Sequence, residues 1–170
     1  MGSINPYGRV QMNVFLHLGS SLIDDMAQKN SIKKQVKLQS IPRGIRNNNP
    51  LNIRIGNTWL GERDQPIDHE FEEFVDIRYG YRAAFVILRR YIRRYKKNTI
   101  THIVSTWAPA SENNTQKYID FVSQKMGIAN DLPILYEDKE TMVQLVAAMQ
   151  LMECGVPADM DKVSRGYDMA

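Results

Sequence analysis

Cysteine, histidine and long apolar stretches are scarce in this sequence, and each shortage excludes a class of protein. The single cysteine, Cys154, excludes a disulfide within the chain and any cysteine-rich metal site. The histidines His17, His69 and His102 are scattered without metal-ligand spacing, so we expect no bound metal and no cofactor. No stretch approaches the roughly 18 uninterrupted apolar residues of a membrane-spanning helix, and no classical signal peptide is recognisable. We therefore expect no membrane span.

What the sequence does contain is the composition of an ordinary globular protein. Of its 170 residues, 43% are hydrophobic and 24% are charged, with a formal net charge of +3. This length is sufficient for one domain with a substantial core. The slight excess of positive charge suits an acidic polymer such as a cell wall or a nucleic acid, and it does not distinguish between them.

The chain is expected to divide into an N-terminal arm, residues 1–41, and a core domain, residues 42–170. The arm combines a predicted amphipathic helix, from about Gln11 to Lys29, with a basic linker. This helix is expected either to pack on its own domain or to bind a partner protein. Its apolar residues recur at helical spacing: Val14, Leu18, Leu22 and Met26.

The most unusual stretch is the asparagine loop, residues 47–52, in which Asn47, Asn48 and Asn49 precede Pro50. Asparagine side chains compete with the backbone for hydrogen bonds, and proline disfavours a helical conformation in the residue before it. A tight polar loop is therefore predicted. Its amides, including that of Asn52, suit the hydroxyl and N-acetyl groups of a glycan. A turn that satisfies only its own backbone would explain the same residues.

After the asparagine loop the pattern changes to that of a short hairpin. Asn52 to Ile55 alternates polar and apolar residues, Gly56-Asn57 supplies turn chemistry, and an aromatic segment follows from Ile67 to Val75. The predicted fold class is therefore α+β and mainly α, with one small antiparallel β-hairpin sheet between Leu51 and Val75.

The clearest predicted helix runs from Tyr81 to about Lys97, with a basic face opposite its apolar stripe. The basic face could be interpreted as a nucleic-acid surface. Nucleic acid is nevertheless not expected as a partner, because the aromatic residues lie on the stripe predicted to be buried rather than among the charges. That stripe consists of Phe85, Leu88, Ile92 and Tyr95.

Further helices are predicted from caps and apolar spacing. One begins at Thr99 or Thr101 and ends at Trp107, and a second ends at Met126 before a glycine. The last runs from an Asp138 cap to Glu153.

Two polar segments at helix ends are candidates for chemistry. The first combines Trp107, Glu112, Asn114 and Tyr118, which supply an aromatic plate, a carboxylate and an amide of the kind that carbohydrate sites use. Helix capping by Asn113 or Asn114, with Glu112 complementing the helix dipole, is the alternative interpretation.

The second candidate is Glu153, which ends a strongly apolar helix just before Gly155. Burial and the helix C-terminus should both raise the pKa of its carboxyl group. A glutamate that stays protonated near neutral pH is what a glycosidic general acid requires. An exposed glutamate in a last helical turn is the alternative. An inverting hydrolase also needs a second carboxylate, for which the hairpin region offers Asp64, Asp68 and Glu70.

These segments together resemble a family of phage virion-associated and prophage-encoded proteins that carry an Arg-Gly-Ile-Arg-Asn-Asn-Asn-Pro-Gly-Asn-Ile-type signature. The match covers about Pro42 to Gly166 and includes Gly80 to Ala83, Trp107 to Pro109 and Glu153-x-Gly155. The resemblance implies a structural or peptidoglycan-degrading protein that is associated with a virion or delivered to the bacterial periplasm or cell wall. The partners expected for the N-terminal helix are then other proteins of the virion or delivery apparatus.

A looser resemblance is to the lysozyme superfamily. Asn48 to Arg54, with Trp59 and Gly61, looks like the β-hairpin that follows the catalytic helix in bacterial glucosaminidases. The helix that ends at Glu153 is similar to the one that carries the catalytic glutamate in soluble lytic transglycosylases. The order of the two elements would make this a circularly permuted lysozyme-like domain.

That resemblance implies a peptidoglycan-cleaving glycosidase, either a muramidase or a lytic transglycosylase. Glu153 and Glu112 would be its catalytic residues. The alternative is a non-enzymatic virion or cell-wall-binding module on the same scaffold. The residues expected to bind the glycan strand are Asn47, Asn48, Asn49, Asn52, Trp107, Asn114 and Tyr118.

Overall fold

The computed structural model describes residues 23–33, 40–111 and 114–170. The chain divides into two units, Met1–Ile41 and Pro42–Ala170. In the first unit residues 23–33 are helical (α1) and exposed to solvent. The helix therefore continues past its predicted end at Lys29, whereas its predicted beginning at Gln11 lies outside the described residues.

The second unit is mainly helical, as predicted. The helical elements in the described residues of this unit are α2 (Arg43–Arg46), α3 (Ile77–Arg89), a π-helix (Arg90–Arg94), α4 (Ile100–Trp107), α5 (Thr115–Met126), α6 (Lys139–Cys154) and α7 (Met160–Asp168). Helix α3 packs along α7, α5 packs against α4 and α6, and α6 also contacts α2, α3 and α7. The core is formed where these helices meet.

The helix ends follow the capping residues in the sequence. The side chains of Thr99 and Asp138 each accept a hydrogen bond from a backbone N–H three residues later, which begins α4 and α6. Gly127 and Gly155 end α5 and α6 in the left-handed conformation, each with φ 65°. These four boundaries confirm the predicted ends of three helices.

Helix α7 was not predicted. Asp159 caps it by accepting from the backbone N–H of Lys162 at 3.3 Å, and Val163 is fully buried. Gly166 lies so close to α3 that a Cβ atom there would be 2.4 Å from Cβ of Tyr81. The sequence did contain a sign of this helix, because apolar residues follow the capping aspartate at helical spacing.

Helix α3 and the π-helix carry the predicted central stripe with one correction. Phe85, Leu88 and Ile92 are buried as expected, but Tyr95 is 45% exposed. The backbone N–H of Tyr95 bonds to the carbonyl of Arg90, five residues earlier, at 3.3 Å. This wider turn rotates Tyr95 away from the buried stripe, on which a regular α-helix would place it.

The predicted β-hairpin sheet is wrong. The described residues from 51 to 75 contain no strand and only two isolated antiparallel bridges, Arg54 to Phe71 and Glu62 to Phe74. The hairpin on which the lysozyme-like resemblance partly depended is therefore missing from this segment.

Side chains bind several backbone groups of this segment, beside a few backbone–backbone hydrogen bonds such as those from the N–H of Ile55 to the carbonyl of Glu70 and from the N–H of Glu72 to the carbonyl of Ile53. Oδ1 of Asn49 accepts from the N–H of Ile53 at 2.9 Å, and its Nδ2 donates to the carbonyls of Ile53 and Glu72. Oε1 of Glu73 accepts from the backbone N–H of Asp68 at 2.6 Å. Side chains thus bind some of the groups that a longer ladder would use, and the backbone pairing is limited to isolated bridges.

Three further features bear on membrane insertion, metal binding and the chemistry of the single cysteine. Among the described residues no helix is long and apolar enough to cross a membrane. In the same part of the chain no three His, Cys, Asp or Glu side chains gather as metal ligands. The thiol of Cys154 is free and donates to the carbonyl oxygen of Pro50 at 3.3 Å.

Candidate active site

A cleft of about 400 Å³ lies where the asparagine loop, the end of α4 and the end of α6 come together. Three of the predicted site residues, Asn52, Trp107 and Glu153, line it. They come from three separate parts of the chain, so only the folded structure brings them together. The described residues that line the cleft are Leu51, Asn52, Arg54, Phe71, Trp107, Ala108 and Glu153.

Glu153 lies in the last turn of α6, two residues before the break at Gly155. The helix is anchored in the core by Leu145, Val146 and Met149, which are fully buried. This anchoring fixes the carboxyl group in a partly buried position at the cleft.

Hydrogen-bond donors hold the Glu153 carboxyl group from several sides. Nδ2 of Asn52 donates to Oε2 at 2.9 Å, and the hydroxyl of Tyr118 donates to Oε1 at 3.1 Å. The side chain of Trp107 is a third donor. A carboxylate offers about four acceptor positions, so three donors leave about one for a proton.

Burial raises the pKa of Glu153 above its ordinary value of 4.5. The apolar surroundings disfavour the charged form, whereas the hydrogen bonds from Asn52, Tyr118 and Trp107 stabilise it and oppose the shift. Desolvation is the larger effect. Glu153 therefore keeps its proton to a higher pH than an exposed glutamate does.

Tyr118 has a hydroxyl group that can serve either protonation state of Glu153. Its pKa is raised well above the ordinary value of 10.0, mainly by burial, so it keeps its proton. The hydroxyl oxygen is also 3.4 Å from the carbonyl oxygen of Met149. The hydroxyl can donate to the carboxylate. When Glu153 is protonated, the hydroxyl can instead donate to the carbonyl of Met149 and accept a hydrogen bond from the carboxyl group.

Asn52 reaches Glu153 because the backbone around it is tightly folded. Asn52 has φ 51°, in the left-handed region that asparagine tolerates. Gly44 in α2 lies directly beneath it: a Cβ atom there would be 2.6 Å from Oδ1 of Asn52 and 2.8 Å from Sγ of Cys154. A glycine at this position therefore lets the asparagine loop approach the end of α6. Sequence reasoning did not single out Gly44.

The other three asparagines of the loop use their amides within the protein. Nδ2 of Asn47 donates to Asp68 at 2.7 Å, and Nδ2 of Asn48 donates to the carbonyl of Phe74 at 2.9 Å. Asn49 is fully buried. These three side chains hold the segment from 68 to 74 in place, and the structure does not bring them to the cleft.

Two of the suggested second carboxylates form ion pairs with Arg43. Asp68 lies 2.6 Å from Nε of Arg43, and Glu70 lies 2.8 Å from its Nη1. The hydrogen bond from Arg43 holds the pKa of Asp68 well below its usual range. The third, Asp64, is exposed. None of the three lines the cleft.

The segment after Trp107 is only partly described. Asn114 is exposed and caps α5, because its Oδ1 accepts from the backbone N–H of Lys117 at 3.1 Å. Glu112 lies outside the described residues. Trp107 itself packs edge-on against Tyr91, with ring centroids 6.5 Å apart.

Arg54 and Phe71 line the cleft but were not among the predicted site residues. The guanidinium of Arg54 lies 5.3 Å from the centre of the Phe71 ring, and that of Arg43 lies 4.5 Å from it. Arg54 stands two residues after Asn52, so its closeness to the asparagine loop was the available signal.

Comparison with known proteins identifies the class of protein. No family model matches the sequence. The chain nevertheless belongs to a family of phage proteins. One member, Protein P5 of Pseudoalteromonas phage PM2, is 38% identical over 137 residues, which cover 78% of this chain and 84% of that protein. The relationship confirms the phage resemblance, and it carries no information about catalysis.

Proposed function

We propose that this phage protein cleaves the glycan strands of peptidoglycan with Glu153 as the general acid. The observation that carries the proposal is the partly buried Glu153 carboxyl, with its raised pKa, at a cleft beside Trp107 and Asn52. Membership of a phage protein family supports delivery by a virion or phage-like apparatus to the periplasm or cell wall.

In the proposed reaction the proton of Glu153 passes to the glycosidic oxygen while the bond between that oxygen and C1 of the sugar breaks. C1 then bonds to an incoming oxygen, which comes from water in a muramidase or from a hydroxyl of the same sugar in a lytic transglycosylase. The proton of that oxygen returns to Glu153, so the carboxyl group ends as it began.

The surroundings of Glu153 suit this cycle. Asn52 and Tyr118 donate to the carboxylate once the proton has left, and burial favours its return. Trp107 offers an apolar indole surface at the same cleft, on which a sugar ring can pack. Of the described residues that line the cleft, Glu153 is the one carboxylic acid. The transglycosylase reaction needs one acid, so this lining is compatible with it.

The direct test is the release of soluble fragments from purified, dye-labelled cell-wall sacculi. Glu153→Gln keeps the shape of the side chain but cannot donate a carboxyl proton, so release should fall by a factor of about 10² to 10⁴. Mass spectrometry of the fragments then separates the two reactions, because hydrolysis leaves a reducing sugar and transglycosylation leaves an anhydro sugar.

Glu140→Gln is the matched control. Glu140 lies in the first turn of the same helix and is exposed, so the same chemical change there should leave activity close to that of the wild type. Full activity in Glu153→Gln, with a folded protein, would remove Glu153 from the reaction.

A second function is a non-enzymatic virion or cell-wall-binding module. The observation in its favour is that both oxygens of Glu153 already accept hydrogen bonds from the protein, as those of a purely structural buried carboxylate do. This function predicts that the wild type binds sacculi without releasing fragments, and that Glu153→Gln binds equally well.

A further inference from the structure

The end of the long central helix presents an exposed tyrosine among exposed cations. We call the group Arg90, Arg94, Tyr95 and Lys96 the Tyr95 surface. All four side chains are exposed. The proposed peptidoglycan reaction uses none of them.

The π-helix is what exposes the aromatic ring. A regular helix would place Tyr95 three residues after Ile92 on the buried stripe, but the widened turn leaves Tyr95 45% exposed and Ile92 buried. Lys96 follows in the left-handed conformation, with φ 57°, and ends the helix. The aromatic residue therefore lies among the charges, which removes the reason for excluding nucleic acid.

The arginines of this surface lie beside the tyrosine ring, and its cations have no acidic partner among the described residues. Arg90 and Arg94 lie 5.6 Å and 5.8 Å from the centre of the Tyr95 ring. Neither they nor Lys96 form an ion pair with any residue that the structure describes. Nearby Arg93, by contrast, pairs with Glu137 at 2.6 Å.

We propose that the Tyr95 surface binds single-stranded nucleic acid. Guanidinium and ammonium groups bind phosphates, and an exposed ring among them can stack on an unpaired base. A base in a duplex is already stacked, so the tyrosine favours a single strand over a double strand. An anionic membrane or cell wall would use the charges but would gain no stacking from the ring.

The test is fluorescence anisotropy of a labelled oligodeoxythymidine with the full-length chain. Tyr95→Leu should weaken binding by about five-fold or more, whereas Tyr95→Phe, which keeps the ring, should bind nearly as the wild type does. Arg94→Gln should weaken binding and flatten its salt dependence by about 0.7 in the log–log slope.

Arg165→Gln is the control for charge, because Arg165 is exposed and lies on α7. It should leave both affinity and salt slope nearly unchanged. Equal losses in Arg165→Gln and Arg94→Gln would overturn the proposal, as would the absence of oligonucleotide binding at low salt. The proposal would also be overturned if Tyr95→Leu and Arg94→Gln weakened binding to phosphatidylglycerol vesicles or sacculi but left oligonucleotide binding unchanged.

Discussion

The side-chain amide of Asn52 donates to Oε2 of Glu153 at 2.9 Å, across 101 residues of chain. A second contact lies beside it, since the thiol of Cys154 donates to the carbonyl of Pro50 at 3.3 Å. The asparagine loop is thus fastened to the end of α6 at the position of the proposed acid.

Glu153→Gln should stabilise the protein at neutral pH even though it removes activity. The folded-state pKa of Glu153 is raised, so the wild type loses stability as pH rises from the unfolded value of about 4.5 through the folded one. Glutamine does not ionise and escapes this loss. Thermal unfolding measured from pH 4 to pH 8 should therefore show a gain for the variant that grows with pH and then levels off.

The protonated glutamate and the glutamine resemble each other, so the two proteins should approach equal stability at the acidic end of that series. A variant that is less stable at every pH would mean that Glu153 is held as a carboxylate by its donors.

Tyr118→Phe should move the alkaline limb of the activity profile to higher pH. The hydroxyl of Tyr118 stabilises the carboxylate, so its removal raises the pKa of Glu153 further. Loss of one hydrogen bond should cost about 1 kcal/mol of stability. The measurement is kcat/KM on soluble glycan fragments as a function of pH.

Tyr167→Phe serves as the comparison for Tyr118→Phe. Tyr167 donates to the carbonyl of Tyr136 at 2.7 Å and does not line the cleft, so its loss should cost similar stability without moving the profile. An unmoved profile in Tyr118→Phe would show that the Tyr118 hydroxyl does not influence the acid.

Asn49→Ala should be far more destabilising than Asn114→Ala. Asn49 is fully buried, and its amide makes three hydrogen bonds to backbone groups. Its removal would take this partner from the N–H of Ile53 and the carbonyl of Glu72, while the carbonyl of Ile53 would keep the N–H of Glu72. We expect a loss of about 2–5 kcal/mol in the free energy of unfolding, measured by urea denaturation. Asn114 is an exposed helix cap, for which about 1 kcal/mol is expected. Similar small losses in both variants would contradict the structural role of Asn49.

Gly44→Ala should disturb the proposed acid without touching substrate. The added methyl group would meet Oδ1 of Asn52 at 2.6 Å and Sγ of Cys154 at 2.8 Å, so the loop must move away from α6. Stability should fall by about 1–3 kcal/mol, and activity should fall with it. Arg46→Ala, at an exposed position in the same short helix, should change neither. A fully stable and active Gly44→Ala would show that this contact yields easily.

The sequence by itself determined much of the helical framework. Caps such as Thr99 and Asp138 and the left-handed ends at Gly127 and Gly155 act through neighbouring residues, so their effect is readable locally. The spacing of Phe85, Leu88 and Ile92 likewise predicts a buried face without knowledge of what covers it.

Alternation of polar and apolar residues, by contrast, failed to predict the segment from 51 to 75. A strand pattern specifies a sheet only if the backbone groups remain free to pair. Here the side chains of Asn49 and Glu73 bind several of these groups, and Asn52 is in the left-handed region, so backbone pairing is limited to isolated bridges. The spacing of apolar residues also could not predict that Tyr95 is exposed, because one widened turn in the helix changes the face on which a residue lies.

The candidate site was predicted as a list of residues, and only the tertiary structure decided which of them share a cleft. Asn52, Trp107 and Glu153 line it, whereas Asn47, Asn48 and Asn49 hold the adjoining loop. Sequence states which groups are available for chemistry. The long-range packing of the asparagine loop on α6 determines which of those groups meet, how deeply Glu153 is buried and therefore how firmly it holds a proton.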